Sequence, residues 1–357
     1  MALWPTELTA HSVNDYTIFP PPWQMMDRDN RWNIVGHRWA VGALQRAVVT
    51  QGVSHAYLFT GPPGVGKTTL ARRLAAALLC QDPEVTRRPC DECRACHLVG
   101  SGNHPDLHIV ESEEVGDSLK IEQVRQLEHT LTLTPVESRC RVAVLRRFEE
   151  ATISAANALL KTLEEPSSHV VLVVLAREPD LLLPTIVSRC QHIPLRPLPV
   201  AVVEQALIRH WGARSQQAAL LAHLSRGRLG WAVRTLEDDE ALSRRARRLD
   251  ELNELIDSSL IHRFRYAETL ARDPVTTRQV LELWIGWWRD VLLESSGADA
   301  PITNIDRMGE LHEQASRFGT ATSSHIIRAL REAIQRLERN ANTRLTLEVL
   351  MLDLPRS

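Results

Sequence analysis

Two groups of residues in this sequence have the types and spacing to do chemistry, and they lie close together in the chain. The first is Gly61-Pro62-Pro63-Gly64-Val65-Gly66-Lys67-Thr68, which fits G-x-x-x-x-G-K-[ST]. Its glycines let the backbone curl so that N–H groups turn toward a phosphate. A helix starting at Lys67 adds the partial positive charge of its N-terminus. Lys67 would reach the β- and γ-phosphates of ATP, and Thr68 would ligate Mg2+. The second is Cys80-x9-Cys90-x2-Cys93-x2-Cys96. Four thiolates so spaced suit tetrahedral Zn2+ at about 2.3 Å and leave no coordination position open, so the expected role is structural. Such a site folds the otherwise coreless stretch 81–100. His97 adjoins Cys96 and sits awkwardly to replace a thiolate.

A phosphate loop that hydrolyses ATP also needs a carboxylate at the end of a neighbouring strand, to hold Mg2+ and orient water. The candidate strand, Arg141–Leu145, is followed by Arg146-Arg147-Phe148-Glu149-Glu150. Arginines stand where acids are expected, and they repel Mg2+. Glu149 and Glu150 come three residues late, on the next turn, and only a Glu149 that reached back would restore the acid. The expectation is nucleotide binding without competent hydrolysis.

The elements that must position these groups alternate. Apolar runs at Ala56–Thr60, Leu107–Val110, Arg141–Leu145 and Val170–Ala176 read as buried strands. Helical periods cover 39–49 (Trp39, Leu44 and Val48 on one face), 67–80, 121–131 and 151–165, the last stopped by Pro166. Strands alternating with helices of these lengths imply a parallel sheet covered by helices. After Pro194, Pro197 and Pro199 the strand pattern stops. Short helices are expected over 200–240, with a break at 225–230, and longer ones over 241–357. The expected domains are an irregular extension over 1–32, with Trp4 or Trp23 as its packing residues, then an α/β domain over 33–195 carrying the cysteine insertion at 80–96. A small helical domain (196–240) and a helical C-terminal domain (241–357) follow. Trp284, Trp287 and Trp288 crowd one turn, as core or as interface.

Composition bounds the rest. The 357 residues suggest two or three domains, and 44% hydrophobic with 24% charged residues is ordinary for a globular protein. No 18-residue apolar stretch would cross a membrane. Residues 1–24 lack a basic segment followed by an apolar core, so a cytoplasmic protein is expected. Six cysteines, with Cys140 and Cys190 standing alone, are too few for a disulfide framework. A net charge of −2 gives no sign of a dedicated nucleic-acid binder. Arg244, Arg245, Arg247 and Arg248 could form a DNA-binding segment, but they read better as a solvated helix face.

Together these pieces resemble the clamp-loader family of AAA+ proteins over roughly 33–357. The residues that carry the resemblance are Val35-Gly36-His37, the phosphate loop, the four cysteines after its helix, the run Asn157-Ala-Leu-Leu-Lys-Thr-Leu-Glu-Glu-Pro166, Ser188-Arg189-Cys190, and Asn342-Thr-Arg-Leu-Thr-Leu-Glu348. The resemblance implies an AAA+ sheet domain, a helical lid and a helical collar. The implied assembly is a five-subunit ring, with gamma/tau and delta subunits as partners, that opens a sliding clamp and places it on primed DNA during replication by DNA polymerase III. It also implies that Arg189 projects into a neighbour's ATP site as an arginine finger in trans. The family's motor subunits keep an Asp-Glu pair where this chain has Arg146-Arg147, and a sensor threonine where it has Ala176-Arg177. They also keep a second-sensor arginine three residues after a glycine, where Gly227 here is followed by Gly230. These three losses point to the non-hydrolysing stator. The alternative is a motor ATPase of gamma/tau type that uses Glu149 in a shifted role.

Overall fold

The computed structural model describes residues 31–113, 117–339 and 341–355, so the expected extension lies almost wholly outside the described residues, together with Trp4 and Trp23. The chain forms two compact units that divide between Leu198 and Pro199.

The first unit is built on a parallel sheet of five strands: β1 Ala56–Thr60, β2 Leu107–Val110, β3 Arg141–Leu145, β4 Val170–Ala176 and β5 Gln191–Pro194, in the order β2-β3-β4-β1-β5. Its helices are α1 Arg38–Val49, α2 Lys67–Leu79, α3 Arg94–Ser101, α4 Ile121–Thr132, α5 Ile153–Glu164 and the single turn α6 Pro184–Val187. The strands' near-continuous apolar runs follow from burial on both faces. Successive side chains point to opposite sides of a strand. Accordingly Tyr57, Phe59, Val142, Val144, Val171, Val173 and Leu175 pack with Leu44 of α1 and Leu70 and Leu74 of α2. Ala56, Leu58, Ala143, Leu145, Val170, Leu172 and Val174 pack with Val124 and Leu127 of α4 and Leu159 and Leu163 of α5. The fold is a five-stranded parallel α/β sheet with helices on both faces and the sequence 61–68 at the carboxyl end of its strand β1.

Three expectations change. Trp39 is 53% exposed, because the buried stripe of α1 is Ala40, Val41, Leu44 and Val48. Helix α5 starts at Ile153, where the Thr152 hydroxyl accepts the Ala155 N–H as an N-cap. The stretch 81–100 is not all loop: α3 turns Ala95, Cys96 and Val99 inward.

The second unit is all helical: α7 Val200–Trp211, α8 Ser215–Ser225, α9 Leu229–Glu237, α10 Ala241–Ile256, α11 Leu260–Leu270, α12 Pro274–Ser296, α13 Met308–Glu338 and α14 Thr343–Asp353, with α13 kinked at Gly319. Trp284, Trp287 and Trp288 are fully buried in its main core, together with Leu281, Leu311, Leu330 and Leu347. Trp287 donates to the Gln314 amide oxygen at 2.8 Å, and Trp284 stacks on Tyr266. The tryptophan cluster is therefore core. Arg263, also fully buried, donates to the carbonyls of Leu255, Ile256, Met351, Leu354 and Pro355. The arginines of α10 are not a free cationic stripe. Arg244 pairs with Asp238, Arg245 with Asp306 and Asn304, and Arg248 with Glu251. Among the described residues no helix is long and apolar enough to cross a membrane.

Candidate functional site

The loop 61–66 joins the carboxyl end of β1 to the N-terminus of α2. Gly61 is at φ 143°, and a Cβ there would stand 2.3 Å from the Leu195 carbonyl oxygen, so no larger residue fits. Its N–H donates to the Arg177 carbonyl at 2.9 Å, which ties the loop to the end of β4. His37 adds a second tie, with Nε2 3.0 Å from the Val65 carbonyl oxygen. Burial holds the His37 pKa below its usual range although the Val65 carbonyl works the other way, so a neutral ring donates that bond at pH 7.

Lys67 lies back on its own loop, where Nζ donates to the carbonyls of Gly61 and Pro62. Thr68 is half-buried in the first turn of α2. Burial pushes the Lys67 ammonium down to about 8, the charge of Glu149 raises it, and that of Arg177 lowers it. A phosphate beside the ammonium would raise the pKa again. Nucleotide binding should therefore be strongest below pH 8 and weaken above it, by up to about tenfold per pH unit. A fluorescent-nucleotide titration at pH 7 and pH 9 checks this, and Lys67→Ala should abolish both the binding and its pH dependence. Equal affinity at the two pH values would exclude Lys67 as a phosphate ligand.

At the end of β3 the two arginines stand where the sequence puts them, each matched by acid. Arg146 is buried against Glu111 at 3.1 Å. Arg147 bonds Glu111 at 2.8 Å, Glu150 at 2.9 Å and the Ser112 carbonyl. Glu149 differs from its expected placement. Residues Phe148–Glu150 form a 3-10 turn, and this tighter winding brings the Glu149 side chain back toward the loop. Its Oε1 lies 3.3 Å from Arg177 Nε, the side chain is 11% exposed, and Oε2 is buried with no hydrogen-bond partner. Arg177 is the residue that sequence reasoning undervalued, since it looked only like a lost sensor. Its carbonyl holds Gly61 and its guanidinium holds Glu149. The readable signal was a charged residue directly after an unbroken β-branched strand.

Cys80 ends α2, Cys90 and Cys93 flank a turn, and Cys96 lies in α3. Their sulfur atoms all lie within 4.8 Å of one another. The separations Cys80–Cys90, Cys80–Cys93 and Cys90–Cys96 are 3.5, 3.9 and 4.0 Å. That is too far for disulfides and close to the edge of a ZnS4 tetrahedron, about 3.8 Å for Zn–S near 2.3 Å. The backbone N–H groups of Asp82, Cys93 and Cys96 donate to the sulfurs of Cys80, Cys90 and Cys93. Burial pushes the Cys80 and Cys96 thiols up. At Cys93 burial is outweighed by N–H groups of Gln81 and Cys96 and by the Cys90 and Cys96 thiols, which bring it to about 7. Four thiols so close, two of them buried and two half-buried, cannot ionise together unless a cation joins them, so the donor set fits a metal ion. A bidentate pair of Arg73 with Asp91 fastens the insertion to α2.

Arg189 lies after α6, far in sequence from both clusters and half-exposed. It bonds Glu164 at 2.8 Å and the Thr185 carbonyl at 3.0 Å. The helix that carries Glu164 is α5, whose carboxyl-terminal two-thirds begins the run 157–166.

Residues 36–199 match the protein family described as "DNA polymerase III, delta subunit". Over 313 residues, 87% of this chain and 93% of the relative, the sequence is 31% identical to DNA polymerase III subunit delta' of Bacillus subtilis. Over 144 residues, 40% of this chain and 44% of the relative, it is 45% identical to subunit delta' of Pseudomonas aeruginosa. Over 177 residues, 49% of this chain and 30% of the relative, it is 36% identical to subunit gamma/tau of Mycobacterium tuberculosis.

Proposed function

The chain belongs to the DNA polymerase III delta' family, and from that premise we propose that it is the non-hydrolysing stator of the clamp loader. In this reading it is a cytoplasmic protein that joins gamma/tau and delta subunits in a five-membered ring, and the ring opens the sliding clamp and places it on primed DNA. The chain itself neither polymerises DNA nor turns over ATP. The observation that carries the reading is the corner at the end of β3, where a motor subunit presents carboxylates and this chain presents Arg146 and Arg147 locked to Glu111 and Glu150. The loop 61–68 then serves to hold ATP with Mg2+, and Cys80, Cys90, Cys93 and Cys96 hold structural Zn2+. A steady-state assay on the isolated chain should show no turnover near the 1–10³ s⁻¹ of ordinary enzymes, and turnover in that range would favour a gamma/tau-type motor instead.

Arg189 supplies the finger to a neighbour's ATP. A guanidinium offers two N–H groups to the γ-phosphate, which the point charge of lysine cannot match. Removing such a finger costs about 10³–10⁵ in rate at the site that it serves. In a reconstituted ring, Arg189→Ala should leave folding and assembly intact, impair clamp loading and lower DNA-stimulated ATP hydrolysis. Part of the hydrolysis survives because other subunits carry their own fingers. Arg189→Lys should rescue little. Loading at the wild-type rate by the Ala variant would remove this role from Arg189.

A further inference from the structure

We infer that Glu149 is the acid through which this chain prefers a magnesium nucleotide over the metal-free one, standing in for the carboxylates that the end of β3 lacks. The inference rests on nucleotide occupying the loop 61–68 and leaves the ring role independent of it.

One carboxylate oxygen of Glu149 is buried without any hydrogen-bond partner. Leaving a buried charged acceptor unmet costs more than leaving a neutral one unmet. A carboxylate oxygen in that state is a ready ligand for a hard cation or for its bound water. The other oxygen is fixed by Arg177, whose own carbonyl takes the Gly61 N–H. The acid and the phosphate loop are therefore tied to the same strand end. Glu149 also acts electrostatically on Lys67, the residue next to Thr68.

The arginines that should repel a dication here do not leave a bare positive field. Arg146 shares Glu111 with Arg147, and Arg147 also has Glu150. A simple counter-ion for Arg177 and Lys67 would not need an unmet oxygen. It would also repel metal-free ATP more than the magnesium complex, because the complex carries less negative charge, so Glu149→Gln lowers the magnesium preference in either role. The two roles differ in Glu149→Asp, which keeps the charge and withdraws the carboxylate, because only a ligand then loses its magnesium preference.

The experiment uses the full, zinc-loaded chain at pH 7, where Lys67 is charged. A fluorescent ATP analogue is titrated in magnesium-free buffer and again with excess Mg2+. A chelator is avoided because it would strip the cysteine site. The wild type should bind about tenfold tighter with Mg2+, equivalent to about 1.4 kcal/mol. Glu149→Gln, isosteric and uncharged, should bring that ratio close to one while the magnesium-free affinity stays the same or rises. Glu149→Asp decides between ligand and counter-ion, and stands alone if Glu149→Gln fails to fold by circular dichroism, because its shorter arm keeps the charge and should still lower the ratio at least threefold. The inference is overturned by a full ratio in the folded Gln variant or an unchanged ratio in the Asp variant. A wild-type ratio of one, or a wild type that binds no nucleotide, overturns it as well. None of these outcomes touches the clamp-loader reading, which stands or falls on reconstitution of the ring.

Discussion

Cys93→Ser should yield a protein that has lost about one zinc per chain and the fold of residues 81–100, while the helical second unit stays intact. Zinc binding to small structural sites is worth about 10–16 kcal/mol at neutral pH, and where no site exists in the unfolded chain that energy is folding energy. The stretch 81–100 buries little else: Pro89 and, from α3, Ala95, Cys96 and Val99, with polar ties of Arg73 to Asp91, Trp32 to the Arg88 carbonyl and Arg94 to Glu137. Without a cation the four sulfurs are within 4.8 Å of one another, and ionised thiols there repel. These fastenings cannot offset the loss, so protease cleavage should appear within 81–100. The parallel sheet does not depend on the insertion and should keep its far-ultraviolet circular dichroism. Elemental analysis of protein from metal-replete cells is the direct check. Fully folded, zinc-free wild-type protein would sink the assignment.

Arg263→Met should destabilise the second unit by about 3–5 kcal/mol, which for a unit of this size lowers its melting temperature by roughly 8–16 °C. The guanidinium is fully buried and takes up the carbonyls of Leu255 and Ile256 at the end of α10, and of Met351, Leu354 and Pro355 at and beyond the end of α14. The last carbonyls of a helix have no intrahelical donors, and the negative ends of two helix dipoles meet there. Methionine replaces the volume and leaves five acceptors without the donor. Lysine keeps the charge but has three N–H groups for five carbonyls, so Arg263→Lys should recover only part of the loss. Melting followed by tryptophan fluorescence suits the test, because Trp284, Trp287 and Trp288 sit in the same core. A Met variant that melts within about 2 °C of wild type would show that Arg263 is dispensable.

Most of the sheet was legible because its strands are buried on both faces. Val170–Ala176 has no other reading than a central strand, and the phosphate loop marks the end of β1. Strand β5 was not legible. Gln191-His-Ile-Pro194 has one buried side chain, Ile193, and it becomes a strand only because β1 offers it an edge. Helix α3 escaped for a related reason, since its inward face consists of an alanine, a valine and a metal ligand rather than large apolar residues. The cysteine cluster and the replacement of acids by arginines could be read from spacing alone. The place of Glu149 could not, because it turns on whether three residues wind as 3-10 or α, and on a partner, Arg177, that is 28 residues away in sequence. Trp39 shows a limit of periodicity: its position fits the stripe of α1 only loosely, and Ala40 and Val41 take the buried side instead.

The pairing of Arg146 and Arg147 with Glu111 and Glu150 also has a historical consequence. Had arginines simply replaced acids, two substitutions would undo the change. Here the acids on neighbouring segments are the partners of those arginines, and Arg147 occupies the left-handed region at φ 47°. Exchanging either arginine for a carboxylate would set it against Glu111 or Glu150, so like charges would crowd a partly buried corner before any metal could be gained. Every single-step return therefore passes through a less stable protein. The side chains that stabilise this corner act as a lock, and folding stability alone resists the exchange of either arginine for a carboxylate.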